Sequence, residues 1–192
     1  MQKTETKRKD LLFGEEIVYG EKMCPVLSKE RLTEMLSQRP ALVEEMVVPE
    51  LQIQENGIEL TVKELWSWQE KGSIGLENRD RQLSKCTKLE FEETGWIGLS
   101  PGSYKVVYNE VVNLPKDVVA LGRPRSSLLR CGATVVSAVW DAGYSGRGEG
   151  LLVVFNPNGL RLRKNARVMQ LLFLQLDQPV ETGYQGLYQN RR

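Results

Sequence analysis

The sequence predicts an all-β sandwich or barrel with one short helix near its start. Three observations predict this fold class: many short strand-like runs at regular intervals, turn residues that separate these runs, and one segment with helical spacing. A chain of 192 residues, of which 41% are hydrophobic and 27% charged, can bury one core without disulfides. We therefore expect one β domain.

The helical segment comes first, at 28–38. The apolar residues on its inner face are Leu32, Met35 and Leu36. Ser28 is a suitable N-cap and Pro40 closes the run. We expect one short amphipathic helix here.

Alternation with a period of two begins after this helix. Residues 51–54 and 58–62 alternate apolar and polar side chains, and Glu55-Asn56-Gly57 between them predicts a hairpin turn. Residues 71–88 are charged and irregular, which predicts a long surface loop. Glycine, proline and asparagine separate further strand-like runs at 89–91, 96–99, 104–108, 118–121, 133–140, 151–155, 160–162 and 168–176.

Composition excludes several kinds of site. The chain has no histidine, which removes the usual zinc ligand, the usual general base and the Ser-His-Asp triad. Cys24, Cys86 and Cys131 lie far apart in the sequence, so we interpret them as free thiols. A net charge of +1 gives no support for nucleic acid as a partner, although a local basic cluster could still bind a small anion. Any catalysis must therefore use carboxylates, hydroxyls and bound water.

The sequence gives no indication of a membrane helix or a signal peptide. No apolar run approaches the ~20 residues that a membrane helix needs, and no apolar stretch follows the polar start to act as a signal peptide. We expect no membrane partner and a cytoplasmic location. Residues 1–22 are polar and basic and predict an N-terminal extension without chemistry.

The first candidate site is the run 123–132. A proline and two serines open a brief helical turn, so that free backbone amides and the hydroxyls of Ser126 and Ser127 point the same way. Arg125 and Arg130 can flank these hydroxyls around phosphate oxygens. The alternative is a plain surface turn with scattered charge, and this run alone leaves both interpretations open.

The second candidate site is the segment 139–146, which lies between two strand-like runs. Asp141 follows an apolar strand, and a tight turn presents Tyr144 three residues later. In a chain without histidine, such an aspartate can orient and deprotonate a water molecule. The alternative is a turn aspartate that caps its own backbone, which is the commoner role of an isolated Asp-x-Gly.

These segments together resemble trimeric dUTPases. The second, third and fourth motifs of that family are matched in order by Arg125-Ser126-Ser127, by Trp140-Asp141 with Tyr144 and Gly146, and by Arg167-Val168-Met169-Gln170-Leu171. Residues 53–60, with Glu59 where aspartate is usual, and the closing 183–189 look like dCTP deaminases and the archaeal-type dUTPases related to them. The resemblance covers roughly 25–190. It implies a distorted β-barrel or jelly-roll-like subunit of the β-clip type, with the short N-terminal helix.

The resemblance also implies roles for single residues. Asp141 would bind the sugar 3′-hydroxyl and align the attacking water, and Tyr144 would pack under the deoxyribose and exclude ribonucleotides. Trp140 ends the segment 135–140, whose backbone would read the pyrimidine. The implied phosphate-binding residues are Arg125, Ser126, Ser127, Arg130 and Gln170. The implied lid over the nucleotide is formed by Tyr184, Gln185, Tyr188 and Gln189.

The family likeness further implies partners and boundaries. The substrate would be dUTP, each site would lie between subunits of a homotrimer, and Mg²⁺ would bridge the triphosphate oxygens without a direct protein ligand. The β domain would span 23–180 and the lid segment 181–192. Hydrolysis of dUTP to dUMP and pyrophosphate would limit uracil in DNA and supply dUMP.

The choice between hydrolase and deaminase depends on one position. Deaminases of this kind place a glutamate in the strand after the aspartate motif, where it shuttles protons. Anchoring on Asn156 puts Val153 there, so we expect hydrolysis and no deamination. Glu149 has the same strand parity and a register shift could bring it inward, but we expect a solvated residue in a turn at 146–150. The alternatives are a dCTP deaminase, a bifunctional enzyme, or a nucleotide-binding regulator without turnover.

Overall fold

A computed structural model describes residues 25–192, in which β-strands dominate. In chain order the strands are β1 (Val43–Glu44), β2 (Ile53–Gln54), β3 (Gly57–Trp68), β4 (Cys86–Leu89), β5 (Trp96–Leu99), β6 (Gly102–Asn113), β7 (Val118–Pro124), β8 (Ala133–Val136), β9 (Ser145–Val154), β10 (Leu160–Arg163) and β11 (Arg167–Gln175). The helices are α1 (Lys29–Leu36), α2 (Pro49–Gln52) and α3 (Ser126–Arg130), with a 3-10 turn at Asn78–Asp80. The all-β prediction is confirmed. The predictions for 1–22 and for Cys24 lie outside the described residues.

The strands form a nearly closed, barrel-like sheet. Its main path runs β7-β11-β3-β6-β9-β8 through antiparallel neighbours, with β1 on β6 and with β2 and β4 on β3. β5 and β10 form a separate antiparallel pair. Ala120 of β7 and Trp140, which follows β8, exchange both backbone hydrogen bonds at 2.9 and 3.0 Å. This bridge brings the two ends of the sheet together.

The core lies inside this barrel and is formed by one face of the long strands. Its almost fully buried members include Ile58, Leu60, Val62, Val106, Leu152, Met169, Leu171 and Phe173. Burial of one such side chain is worth about 1.5–3 kcal/mol. Because successive strand residues point to opposite faces, the outer face of β6 and β9 carries Lys105 and Glu149. Within 25–192, no helix is long and apolar enough to cross a membrane.

Helix α1 confirms the predicted amphipathic helix. The Ser28 hydroxyl accepts a hydrogen bond from the Arg31 amide at 3.5 Å, and Leu32 and Met35 are buried against the core. The helix ends at Leu36, two residues before the predicted end. The brief helical turn predicted after Arg125 is α3.

Helix α2 corrects the prediction of a strand at 51–54. The hairpin itself is present, because β2 pairs with β3 through Ile53 opposite Ile58. Residues 49–52 form a helical turn instead, since a proline fixes its first residue and Gln52 is buried. The Gln52 side chain accepts from the Val48 amide at 2.8 Å and donates to the Glu59 carbonyl at 2.8 Å. These tertiary contacts override the local alternation.

Strand β9 corrects the prediction of a turn at 146–150, because it runs without interruption from Ser145 to Val154. Its glycines make room for rings. A β-carbon at Gly148 would overlap Cη2 of Trp140, and one at Gly150 would overlap the Tyr108 hydroxyl. Here a Gly-x-Gly-x-Gly run marks close packing against a strand and not a reversal of the chain.

Other boundaries differ by a few residues. The predicted surface loop 71–88 contains the 3-10 turn and most of β4, at Cys86–Leu89, so that the strand predicted at 89–91 overlaps β4 only at Leu89. Strand β8 ends at Val136, four residues before the predicted end. That early end opens the candidate site.

Candidate active site

A cleft of about 320 Å³ opens where β8 separates from β9. Their pairing stops at Val136 opposite Leu151, and Trp140 then pairs with Ala120 of β7. The segment 137–139 crosses between these two partners and lines the cleft. Within the described chain, its amides and carbonyls make no hydrogen bonds to other backbone groups. They form an unpaired strand edge, which needs partners when it is buried.

Aromatic rings form the inner wall of the cleft. Trp140 and Tyr144 are 6% and 7% exposed and meet edge to face, with ring centroids 5.5 Å apart. The Trp140 indole donates to the Ser137 hydroxyl at 3.3 Å, and the Tyr144 hydroxyl donates to the Arg147 carbonyl at 3.2 Å. Burial raises the pKa of Tyr144 to about 12, so the phenol stays neutral at physiological pH. The wall therefore presents rigid, uncharged surfaces to a ligand.

Asp141 lies at the exposed rim of this cleft. Its carbonyl accepts from the Tyr144 amide at 3.0 Å and closes a β-turn, in which Gly143 has a φ of +80°. Within 25–192, its carboxylate makes neither a hydrogen bond nor an ion pair. The alternative of a carboxylate that caps its own turn is therefore not what this structure shows. The group is free to bind a ligand or a water molecule.

The C-terminal segment lies against the same turn. The Tyr184 amide donates to the Ala142 carbonyl at 2.9 Å, and the Asn190 amide donates to the Ser145 carbonyl at 2.7 Å. Tyr184 packs edge to face on the Tyr144 ring, with centroids 5.5 Å apart. The segment thus covers one side of the cleft of its own chain.

The four predicted lid residues have different surroundings. Tyr184 and Tyr188 line the cleft, whereas Gln185 does not. The Gln189 side chain accepts from the Ser145 amide and donates to the Gly143 carbonyl, both at 3.0 Å. Gln189 therefore holds the C-terminal segment against the turn by hydrogen bonds. Among the four predicted lid residues, Tyr184 and Tyr188 are the ones positioned to contact a ligand.

Three charged residues that were not predicted as site residues also line the cleft. Arg147 and Glu149 come from β9, and Arg191 lies 4.8 Å above the Tyr188 ring. Glu149 is exposed, as expected, but it lies in a strand and forms an ion pair with Lys105 at 3.2 Å. Of these three residues, only Glu149 was considered from the sequence, because it lies on the same face of its strand as Val153.

Val153, the position matched to the deaminase glutamate, lies elsewhere. It pairs with Thr134 of β8 and does not line the cleft. The one cleft-lining glutamate among the described residues is Glu149. The strand therefore presents a carboxylate to the cleft four residues earlier than the matched position.

The predicted phosphate-binding residues form a second group around α3. Arg125 precedes the helix, and buried Leu128 anchors the helix to the core. Ser126, Ser127 and Arg130 are exposed, and within 25–192 their side chains make no hydrogen bonds or ion pairs. This leaves two hydroxyls and a guanidinium available to an anion.

Gln170 lies beside this group on β11. It is directly opposite Glu59 of β3 on one side and Arg123 of β7 on the other. The Glu59 carboxylate binds the Arg125 guanidinium, so the same three strands connect Gln170 with the start of α3. We call Arg125, Ser126, Ser127, Arg130 and Gln170 the anion half of the candidate site.

Five of the seven remaining predicted residues form the cleft half, which consists of Trp140, Asp141, Tyr144, Tyr184 and Tyr188; Gln185 and Gln189 do not line the cleft. No residue of the anion half lines the cleft. Within one chain, the residues of each half are therefore close to one another, but the two halves are separate. Among residues 25–192, no three His, Cys, Asp or Glu side chains are grouped so that they could hold a metal ion.

Comparisons with known proteins identify the family of this chain. A family model described as dCTP deaminase-like matches residues 26–176. The chain is 51% identical to a probable deoxyuridine 5′-triphosphate nucleotidohydrolase of Methanococcoides burtonii over 165 residues, which are 86% of this chain and 97% of that protein. It is 41% identical to a protein of the same name from Archaeoglobus fulgidus over 163 residues, 85% and 95% of the two chains.

One solved structure supports the fold. The crystal structure of a 2′-deoxycytidine 5′-triphosphate deaminase from Agrobacterium tumefaciens matches with a TM-score of 0.59 at 17% identity. The match covers 80% of this chain and 49% of that one. At this identity the likeness concerns the fold alone.

Proposed function

Because the chain belongs to the dCTP deaminase-like family, whose model matches residues 26–176, we propose that it hydrolyses dUTP to dUMP and pyrophosphate. The resemblance predicted from the motifs is thereby confirmed, and relatives that carry the name of this activity are 41–51% identical. The observation that carries the proposal is the free Asp141 carboxylate at the rim of the cleft, next to the buried Tyr144 ring.

In the proposed reaction, a water molecule attacks the α-phosphorus of dUTP in line with the leaving pyrophosphate. Asp141 orients this water and accepts its proton. The bond from the α-phosphorus to the bridging oxygen breaks, and pyrophosphate takes the electron pair. Arg125, Arg130 and the amides at the start of α3 would stabilise the charge that grows on the leaving group.

The cleft half would bind the nucleoside. The unpaired backbone of 137–139 offers both amides and carbonyls, which suits a pyrimidine edge with donors and acceptors. The Tyr144 ring would pack against the deoxyribose, where a ribose 2′-hydroxyl has no room. Tyr184 and Tyr188 would close over the base from the C-terminal side.

We also propose that the complete site needs more than one chain. The cleft half and the anion half do not meet within one chain, so a homotrimer would join them across subunit interfaces. Apolar side chains are exposed next to both halves, Leu129 at 67%, Val139 at 55% and Phe155 at 69%, which is typical of surfaces that become buried on assembly. Light scattering of the purified protein should give the mass of three chains, and a monomer would contradict this assembly.

Mg²⁺ would enter with the substrate. Among residues 25–192, no three His, Cys, Asp or Glu side chains are grouped so that they could hold it. We propose that it is carried on the triphosphate. When bound, it would supply positive charge to the phosphates.

We propose that the enzyme works in the cytoplasm, where its nucleotide substrate is found.

Deamination of dCTP is the second candidate activity. Glu149 favours it, because this carboxylate lines the cleft beside the segment that would bind the base. In that reaction Glu149 would move protons between water and the departing amino group. Its carboxylate also forms an ion pair with Lys105 at 3.2 Å.

Parallel incubation with dUTP and with dCTP, each with Mg²⁺, tests both candidates. We expect dUMP and pyrophosphate from dUTP and no product from dCTP. Formation of dUTP or dUMP from dCTP would assign Glu149 a catalytic role, and Glu149→Gln should then abolish only that reaction. Binding of both nucleotides without turnover would contradict hydrolysis and leave a nucleotide-binding regulator.

A further inference from the structure

Two arginines converge on one buried carboxylate beneath the anion half. Glu59 of β3 is 4% exposed. Its Oε1 accepts from Nε of Arg125 at 2.5 Å, and its Oε2 accepts from Nη1 of Arg167 at 2.9 Å. The three residues come from β3, from the residue before α3 and from the start of β11. Glu59 therefore joins three separate elements at one point.

Each arginine is held through Nη1, and Arg125 also through Nε. The Arg125 guanidinium also donates to the Arg167 carbonyl through Nη1 at 3.4 Å, and Arg167 also donates to the Leu51 carbonyl through Nη1. Within the described part of the chain, Nη2 of neither arginine makes a hydrogen bond. The Arg125 side chain is 27% exposed, so its Nη2 remains available to a ligand.

We propose that Glu59 is a positioning residue, which fixes the Arg125 guanidinium so that its outer N–H groups face the phosphates of the nucleotide. The inference rests on the proposed function and assigns Glu59 a role in phosphate binding that it exerts only through Arg125. A planar guanidinium held at Nε and Nη1 presents the N–H groups of Nη2 in a fixed direction, which a flexible ammonium does not.

The charges support this role. Glu59 carries one negative charge between two arginines, so the group keeps one excess positive charge for an anionic ligand. A buried carboxylate without cations would be strongly unfavourable, and two adjacent arginines without the carboxylate would repel each other. Glu59 thus allows both guanidinium groups to stand near the phosphate site.

The position of Glu59 is itself fixed by the core. Its carbonyl accepts from Gln52, whose amide also donates to buried Glu110 at 2.7 Å. Two residues along β3, the Thr61 amide donates to Glu110 at 2.9 Å. Gln170 of the anion half lies directly opposite Glu59. The strand that carries the carboxylate therefore has little freedom to shift.

The first test compares Glu59→Gln with the wild type in binding dUMP, dUDP and the non-hydrolysable analogue α,β-imido-dUTP, and in kcat and KM for dUTP. Displacing an arginine from its productive position commonly costs on the order of 10²-fold. We expect a loss of about that size in affinity for the triphosphate analogue and in kcat/KM, with a much smaller loss for dUMP. Equal losses for all three nucleotides would overturn the inference.

Glu64→Gln is the matched control. Glu64 lies on the same strand and forms an ion pair with Lys88 at 2.9 Å, outside both halves of the site. It should keep the wild-type affinities. If it changed the triphosphate affinity as much as Glu59→Gln does, the effect would belong to the strand and not to the Arg125 contact.

A double-mutant cycle tests whether Glu59 acts through Arg125. In an Arg125→Ala background, Glu59→Gln should cause no further loss of triphosphate affinity, whereas additive losses would overturn the inference. If Glu59→Gln does not fold, Glu59→Asp keeps the charge, shortens the reach and serves in the same cycle.

A wild-type protein that neither binds the analogue nor hydrolyses dUTP would remove the proposed function, and with it this inference. Normal wild-type activity with an unaltered Glu59→Gln variant would remove the inference alone.

Discussion

The cleft half and the anion half of the candidate site are built by opposite means. In the cleft half, Trp140 and Tyr144 are positioned by contact, with Gly148 leaving room for the indole. In the anion half, Arg125 is positioned by charge, through buried Glu59. The first half should therefore be sensitive to added volume, and the second to lost charge.

Asp141 belongs to the cleft half but would act on phosphates that the anion half binds. Asp141→Asn should therefore have the largest effect on activity. The neutral amide cannot accept the proton of the attacking water, so we expect kcat for dUTP hydrolysis to fall by about 10²–10⁴-fold. The thermal midpoint should stay the same, because the carboxylate is exposed and unpaired. Asp177→Asn, at an exposed aspartate outside both halves, is the control and should retain full activity.

Gly148→Ala tests the sensitivity of the cleft half to volume. The new methyl group would overlap the Trp140 ring, and overpacking of this kind costs typically about 1–3 kcal/mol. Urea denaturation should show that loss, and KM for dUTP should rise as the ring moves. Gly98→Ala is the matched control in β5, since nothing lies within 4 Å of its added β-carbon. Equal stability of the two variants would contradict packing as the organising force.

Tyr144 offers a sharper test of shape. Tyr144→Phe keeps the ring and should keep the preference for dUTP over UTP. Tyr144→Ala removes the surface under the sugar, and we expect the ratio of kcat/KM for the two nucleotides to fall by at least about 10-fold, as for loss of one close apolar contact. Loss of selectivity in the phenylalanine variant would instead assign discrimination to the hydroxyl.

Glu110 is a second buried carboxylate that can be compared with Glu59. Its substitution should have the smallest effect of those predicted here, and the effect should be on stability. Unlike Glu59, it is bound by neutral donors, the Thr61 amide and hydroxyl and the Gln52 amide. Burial raises the pKa of Glu110 above its ordinary value of 4.5, and these hydrogen bonds offset only part of that rise.

The raised pKa fixes the sign of the pH dependence. The folded state holds the Glu110 proton more tightly than the unfolded state, so this contribution to stability is complete below pH 4.5 and is lost as pH rises through the folded-state pKa. Glu110→Gln, which stays neutral, should gain stability relative to the wild type over that rise. Urea denaturation of both proteins at a series of pH values measures the difference. A constant difference across the series would show that Glu110 does not titrate on folding.

Local patterns predicted the fold well where one rule governs a segment. Period-two alternation at 58–62 located the first part of β3, the strand-like run at 96–99 is β5, and the cap at Ser28 located α1 within two residues. The proline and the two serines of the run 123–132 predicted the helical turn at α3. Where tertiary contacts decide, the sequence was misleading: Gln52 reads as part of a strand but is pulled into a helical turn by hydrogen bonds to distant groups.

The candidate site shows the same division. Asp141 and Tyr144 were predicted from their motif, and the structure brings them into one cleft, while their catalytic roles stay predictions. The glycines of β9 suggested a turn, because a sequence does not reveal that an indole from another segment fills their space. Arg191 has no motif of its own, and only the return of the C-terminal segment to Ser145 brings it to the cleft.

The unpaired backbone of 137–139 has a further consequence for how the molecule unfolds. A closed barrel is protected by its continuous ladder of hydrogen bonds, and here the ladder is interrupted between Val136 and Trp140. Amide protons beside this gap should exchange with solvent early, since local opening begins where few bonds must break. A bound base would act as the missing strand and complete the ladder. Ligand at 100 times its dissociation constant would add about 2.7 kcal/mol to the free energy of unfolding, and the slowing of exchange should be greatest at this gap.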